Sequence, residues 1–175
     1  VGNIIQFLKD NGLYENTIII FAGDNGLAVG QHGLMGKQNV YEHSVGVPLM
    51  IKAAAQHTGK KTADLCYLID VFPTLCDMLQ LPVPQSVDGI SLLSSLDGKE
   101  PVRDYLYYSY MDNQRGISDG TWKLIEYHVN GKRTTQLFNL KNDPWERNDL
   151  SGQKKYDKTI QRLREKMAEE QKRTN

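Results

Sequence analysis

The sequence predicts an α/β fold: the trailing part of a parallel sheet, then a small antiparallel sheet with a closing helix. Three observations predict it. A helical pattern runs into an unbroken β-branched segment near the start, four strand-like segments with Asp-Gly and Asn-Gly among them follow residue 100, and a charged amphipathic pattern ends the chain. At 175 residues the chain is long enough for one domain or for a piece of a larger one.

Residues 1–13 carry Ile4, Ile5 and Leu8 on one helical face, with Gly12 as the C-terminal stop. Residues 17–21 (Thr-Ile-Ile-Ile-Phe) are β-branched without alternation, the pattern of a strand buried on both faces. A helix followed by such a strand is half of an α/β repeat. Residues 47–52 read as the next strand, with Pro48 near its start where a missing N–H is tolerated. Residues 62–80 are expected to form a helix kinked or restarted near Pro73. Leu81-Pro82-Val83-Pro84 then breaks the chain, and Asp88-Gly89 marks a turn. Beyond residue 102, segments 105–110, 114–118, 121–127 and 134–140 read as short strands. Asp119-Gly120 and Asn130-Gly131 favour tight hairpins because both positions tolerate positive φ. Residues 153–172 are expected to form the closing helix, with Tyr156, Ile160, Leu163 and Met167 at three- to four-residue spacing. This divides the chain into residues 1–100, the end of an α/β domain, and residues 101–175, a small α+β subdomain. Two strands are few for an open sheet, and the chain starts in a helical pattern without Met, so further chain is expected upstream.

The 21 basic and 21 acidic residues balance, which leaves no net field to attract nucleic acid or an anionic membrane. No apolar run approaches the roughly 20 residues that span a bilayer. The first six residues lack the basic start and apolar stretch of a secretory signal. Cys66 and Cys76 sit in apolar helical patterning and read as buried free thiols, without the histidine pair a zinc site needs. Tyr105, Tyr107, Tyr108 and Tyr110 read as packing residues rather than a sugar platform. Trp122 and Trp145 read the same way, with Trp145 in a Pro-containing turn open to exposure. Residues 162–172 mix signs and read as a solvated helix face.

Chemistry concentrates in Phe21-Ala22-Gly23-Asp24-Asn25-Gly26, followed by Gly30-Gln31-His32-Gly33 and Gly36-Lys37. Asp24 and Asn25 stand at the C-terminal end of a strand, where open α/β sheets place their ligands. A carboxylate beside an amide oxygen suits a hard divalent cation such as calcium. The glycines let the backbone turn tightly and approach a ligand. Lys37 offers a compact positive charge to a tetrahedral anion. Taken singly, Asp-Asn-Gly reads as a turn, His32 as a loop histidine and Lys37 as a surface lysine; the combination changes the reading.

Together with Tyr41-Glu42 and Val47-Pro48-Leu49, these segments resemble the second signature block of the sulfatase family, in the alkaline-phosphatase-like superfamily of metal-dependent hydrolases. The resemblance continues through Asp70-Val71-Phe72-Pro73-Thr74-Leu75 and Val87-Asp88-Gly89-Ile90-Ser91-Leu92. It extends to Trp122-Lys123-Leu124-Ile125, Gln136-Leu137-Phe138-Asn139-Leu140, Asp143-Pro144 and Glu146. Nearly the whole chain is covered in order, as the C-terminal portion of such an enzyme.

The resemblance implies that Asp24 and Asn25 are late metal ligands, usually for calcium, and that Lys37 contacts the sulfate group. His32 falls where several members have a histidine lining the substrate pocket. The family's nucleophile is a formylglycine matured from a Cys/Ser-x-Pro-x-Arg motif, which this sequence lacks, as it lacks the early Asp-Asp pair. The fragment alone is therefore expected to bind calcium weakly and to hydrolyse no sulfate ester. Gly23 replaces a common Ser, and Gly46 a frequent Arg that would make a structural ion pair. The implied partners are a sulfated small molecule or glycan and the N-terminal part of the same protein. The implied location is extracytoplasmic: periplasmic, secreted or lysosomal. The alternatives are a phosphoester or phosphonate hydrolase of the same superfamily, and a non-catalytic binding or folding module.

Overall fold

The structure, a computed structural model, describes residues 1–53, 59 and 61–174. In chain order its elements are α1 (Gly2–Asp10), β1 (Ile19–Ala22), β2 (Ala28–Val29), β3 (Met35–Gly36), α2 (Glu42–Val45) and β4 (Leu49–Lys52). They continue with α3 (Val71–Met78), α4 (Leu93–Leu96), β5 (Leu106–Tyr110), β6 (Gln114–Ser118), β7 (Trp122–Val129), β8 (Lys132–Asn139) and α5 (Asp157–Thr174). The chain divides into two units: Val1–Gly23, Pro48–Thr62 and Tyr67–Val102 form one, and Asp24–Val47, Ala63–Cys66 and Arg103–Asn175 the other. The expected boundary at residue 100 is thus crossed by the loop of residues 24–47, which belongs with the C-terminal sheet.

In the first unit, β1 and β4 pair antiparallel, from Ile19 opposite Lys52 to Ala22 opposite Leu49. A parallel relation was expected, and the connection explains the difference. A parallel pair needs a crossover to the far end. Here Gly23 N–H donates to Pro48 O at 3.2 Å, so the chain leaves and re-enters at the same end. Nor is β1 buried on both faces: Ile19 and Ile20 are half-buried and Phe21 and Ala22 exposed. Among the described residues no further strand joins the pair, and α1 buries none of its own.

The helix expected over 62–80 is confined to α3, after a single 3-10 turn at Leu68–Asp70. Asp70 is the cause. Its wholly buried carboxylate accepts Tyr67 N–H at 2.7 Å and Ile90 N–H at 2.9 Å, which starts the helix there. Pro73 then lies in the first turn, where it needs no donor, instead of kinking a longer helix. Buried Thr74 Oγ1 accepts Leu92 N–H at 2.8 Å. Two motif segments twenty residues apart are thereby tied together.

In the second unit, β5–β8 form an antiparallel meander in sequence order. Asn130 and Gly131 turn the last hairpin with φ of 49° and 74°, as their dipeptide requires. Alternation along the strands splits the core into two layers. On one face Ile117, Leu124 and Leu137 pack against Ile160, Leu163 and Met167 of α5. On the other, Ile125 and Phe138 pack against Val40 and Tyr41 of the site loop. The tyrosines divide accordingly, Tyr105 and Tyr107 with the first layer and Tyr108 and Tyr110 with the second, in the packing role expected. Cys76 is buried, whereas Cys66 is half-buried and stands in a segment that is not helical.

One charged group interrupts the second layer. Lys123 of β7 is wholly buried, with Nζ 2.7 Å from Glu42 Oε1 and 3.1 Å from Glu146 Oε1, and 4.9 Å from the centre of the Tyr108 ring. Glu146, also buried, accepts Glu42 N–H through Oε2 at 2.6 Å. Lys123→Met leaves both carboxylates without their cation, so urea unfolding of the chain is expected to show a loss of about 3–5 kcal/mol. A loss below about 1 kcal/mol, the size of an exposed ion pair, would show that the node contributes no more than surface charges do.

Candidate functional site

The loop of residues 24–47 is shaped by a small ribbon. β2 and β3 pair antiparallel, Ala28 opposite Gly36, and so return the chain from Gly26 to Lys37 beside its starting point. Asn25 N–H donates to Asp24 Oδ1 at 2.8 Å, and its Nδ2 donates to Gly26 O at 2.9 Å. These bonds leave Asn25 Oδ1 for Lys37, whose Nζ donates to it at 3.0 Å. Gly26 N–H donates to Ser44 O at 2.9 Å, and a Cβ at Gly26 would overlap the His43 carbonyl oxygen. Only glycine lets the loop back onto α2 here.

The structure thus brings Asp24, Asn25 and Lys37 together, while His32 makes other contacts. It sits at the ribbon tip with φ of 55°, after Gly30 at 99°. Its ring stacks on Tyr41 with centroids 4.0 Å apart and planes 6° apart, and lies 5.5 Å from the His43 ring. Its Nε2 is 3.2 Å from Trp145 O, which sets that nitrogen as the donor. Tyr41 is fixed in turn by its hydroxyl donating to Gln136 Oε1 of β8 at 2.7 Å. Gln31, His32, His43, Trp145 and Arg147 line a cavity of about 610 Å³.

Sequence reasoning missed His43, Trp145 and Arg147 as cavity residues, and it quoted Glu42, Lys123 and Glu146 only as family landmarks. One signal was available for the last three: a lysine within the otherwise apolar Trp122-Lys123-Leu124-Ile125 run needs buried carboxylates.

The donor chemistry at Asp24 and Asn25 fits a hard cation in part. Asp24 is exposed and its Oδ2 accepts no hydrogen bond among the described residues, while Asn25 presents Oδ1 to the Lys37 ammonium. Two oxygens fall well short of the roughly six to eight that calcium takes. No group of three or more His, Cys, Asp or Glu among the described residues is arranged to hold a metal. Nor is any described helix long and apolar enough to cross a membrane.

His43 is partly buried, and its Nε2 has no hydrogen-bond partner among the described residues. Burial first, then His32 and Lys123, hold its pKa below the ordinary histidine value. The unfolded chain therefore binds the proton more readily, and stability is lost as pH falls through the ordinary value toward the folded one. Urea titrations of the chain between about pH 8 and about pH 5 are expected to show this slope reduced in His43→Phe. An unchanged slope in the variant would assign it to other groups.

Residues 30–173 match the N-sulphoglucosamine sulphohydrolase, C-terminal, family. The chain is 30% identical to an N-acetylglucosamine-6-O-sulfatase of Bacteroides thetaiotaomicron, covering 98% of this chain and 33% of that protein. It is 27% identical to human arylsulfatase K, over 82% of this chain and 29% of that protein. It therefore spans about a third of the length of these curated relatives. A structure solved with its substrate D-glucosamine-2-N,6-O-disulfate superimposes with a TM-score of 0.83 at 29% identity, over 98% of this chain and 37% of that one. The phosphonate monoester hydrolase of Agrobacterium radiobacter superimposes with 0.78 at 27% identity, over 96% and 37%. The chain belongs to the N-sulphoglucosamine sulphohydrolase, C-terminal, family.

Proposed function

We propose that the whole protein hydrolyses a sulfate ester of a sugar, with this chain supplying the late half of the metal and sulfate site. The observation that carries the reading is the convergence of Lys37 on Asn25, 3.0 Å apart across a twelve-residue loop and next to Asp24. In this reading Asp24 and Asn25 contribute two oxygens to a divalent cation, calcium by family resemblance. The cation, when bound, would neutralise charge building on the sulfuryl oxygens. Lys37 shares that task from the protein side: its ammonium has two further N–H donors beyond the one given to Asn25, and these suit the oxygens of a tetrahedral anion. Asn25 holds the ammonium in place, and the Asp24–Asn25 bond holds Asn25. The nucleophile in this scheme is a formylglycine upstream of the chain, so the chain by itself binds calcium weakly and turns over no substrate. A sugar substrate is favoured by relatives whose names specify N-acetylglucosamine 6-sulfate and N-sulphoglucosamine chemistry. Residence outside the cytoplasm rests on the family reading alone.

A phosphonate or phosphate ester is the second reading, favoured by the phosphonate monoester hydrolase neighbour. The upstream coding sequence separates the two: Cys/Ser-x-Pro-x-Arg supports the sulfatase, and a Thr or an unrelated residue at the nucleophile position supports the phosphoester enzyme.

Lys37→Ala in the full-length protein is expected to lower kcat/KM on a sulfate ester by about 100- to 1,000-fold. Activity within a few-fold of the unaltered enzyme would remove Lys37 from the mechanism. Calorimetry of the isolated chain is expected to show only weak calcium binding; a tight isotherm would mean that the ligand set is complete without upstream residues.

A further inference from the structure

The cavity beside His32 is separate in its contacts from the Asp24–Asn25–Lys37 cluster, and the chain is specially built around it. Glu146 carries a φ of 54° although it is not glycine, and its carboxylate is buried against Lys123 and the Glu42 N–H. A strained backbone and a buried charge are both unfavourable on their own, and they persist where surrounding structure enforces them. Their joint effect is visible in the neighbours. Glu146 turns inward, while Trp145 and Arg147 on either side of it line the cavity, Trp145 with 67% of its surface exposed. The turn is closed from within, since Asp143 Oδ2 accepts Asn148 N–H at 2.8 Å and Asp143 O accepts Glu146 N–H at 3.0 Å. The Trp145 carbonyl is held by His32.

These groups have a common chemistry. An open indole offers an apolar, rigid face of the size of a sugar ring. Arg147 makes no ion pair among the described residues, and its planar fork suits the oxygens of a sulfate or carboxylate. Gln31, His32 and His43 complete the wall with polar groups, and His43 Nε2 is a buried nitrogen without a hydrogen-bond partner among the described residues. Burial works against the Asp143 charge, but hydrogen bonds from Arg147 N–H and Asn148, together with the Arg147 charge, hold its carboxyl below the ordinary range. Asp143 is thus an acidic neighbour of Arg147. About 610 Å³ is ample for one monosaccharide.

We propose that Trp145 and Arg147 form a saccharide subsite that takes a sugar ring bearing a sulfate group, the indole stacking on the ring and the guanidinium pairing with the sulfate. The proposal rests on the sulfate-ester reading above and adds to it a second recognition point, distinct from Lys37, at which the substrate's own sugar is selected. Glu146 is a positioning residue, because it acts only through its two neighbours.

The test uses the unaltered 175-residue chain and the two indole N–H signals of its NMR spectrum, with packed Trp122 as the internal control for folding. D-glucosamine-2-N,6-O-disulfate is expected to shift the Trp145 signal saturably and leave that of Trp122 in place. Arg147→Gln is expected to weaken this binding by roughly tenfold, the effect of losing one charge-assisted pair. Trp145→Ala, followed by calorimetry, is expected to lose it. No saturable shift overturns the proposal. So does inorganic sulfate acting at the same midpoint as the sugar, since the ring would then add nothing. Equal binding of unsulfated D-glucosamine overturns it as well. Turnover by the full-length protein with no shift at Trp145 removes the subsite and leaves the reaction standing. A shift at Trp145 without turnover keeps the subsite and removes the reaction.

Discussion

A lysine ammonium buried in a sheet face must be paired, and much of the second unit is arranged around meeting that demand for Lys123. Its two carboxylate partners come from distant parts of the sequence, Glu42 at the start of a four-residue helix and Glu146 in a turn after β8. Neither segment has enough regular structure to hold itself in place. Pairing with Lys123 joins both to β7, and the Glu42 N–H bond to Glu146 closes the triangle. Buried ion pairs of this kind add little net stability over a hydrophobic replacement. What they supply here is position, since a charge tolerates far less displacement than a methyl group does.

Position matters because the candidate site lies on short, exposed pieces of chain. Asp24, His32 and Lys37 are all exposed, and the ribbon that carries them is two residues long on each side. The loop gains its order from one end. Val40 and Tyr41 are packed into the second layer, α2 follows directly, and Gly26 is hydrogen-bonded back to α2. The Asp24–Asn25–Lys37 cluster and the aromatic stack of His32 on Tyr41 thus share one foundation on the sheet, although they belong to different contact networks. This is how the chain can present two candidate recognition elements with little local secondary structure.

The parts of the fold readable from sequence are those whose determinants are local. The four strands of the meander fall close to their expected limits because Asn130-Gly131 and Asp119-Gly120 specify their turns chemically. The terminal helix is likewise stated by its apolar spacing. The failures have long-range causes. The helix over 62–80 is cut short by Asp70, whose carboxylate answers to Ile90 twenty residues on, and the β1–β4 pair is antiparallel because of where the intervening loop returns. At the candidate site, the clustering of Asp24, Asn25 and Lys37 was readable because they lie in one loop with glycines at close spacing. Trp145 and Arg147 were not, because they reach His32 and His43 only through the folded sheet and through the inward turn of Glu146. A packing role was expected of Trp145, and its exposure is the one feature of that expectation already open in the sequence.

Amide hydrogen exchange on the chain tests most directly whether the Lys123 node fixes the site loop. The amides of Glu42 and Gly26 are expected to exchange as slowly as that of Ile125 in β7, and all three to accelerate together in Lys123→Met, because loop and strand open as one unit. Fast exchange at Glu42 and Gly26 beside a protected Ile125 in the unaltered chain would contradict this. The loop would then be an independent element, and the buried charges would have no part in ordering the site.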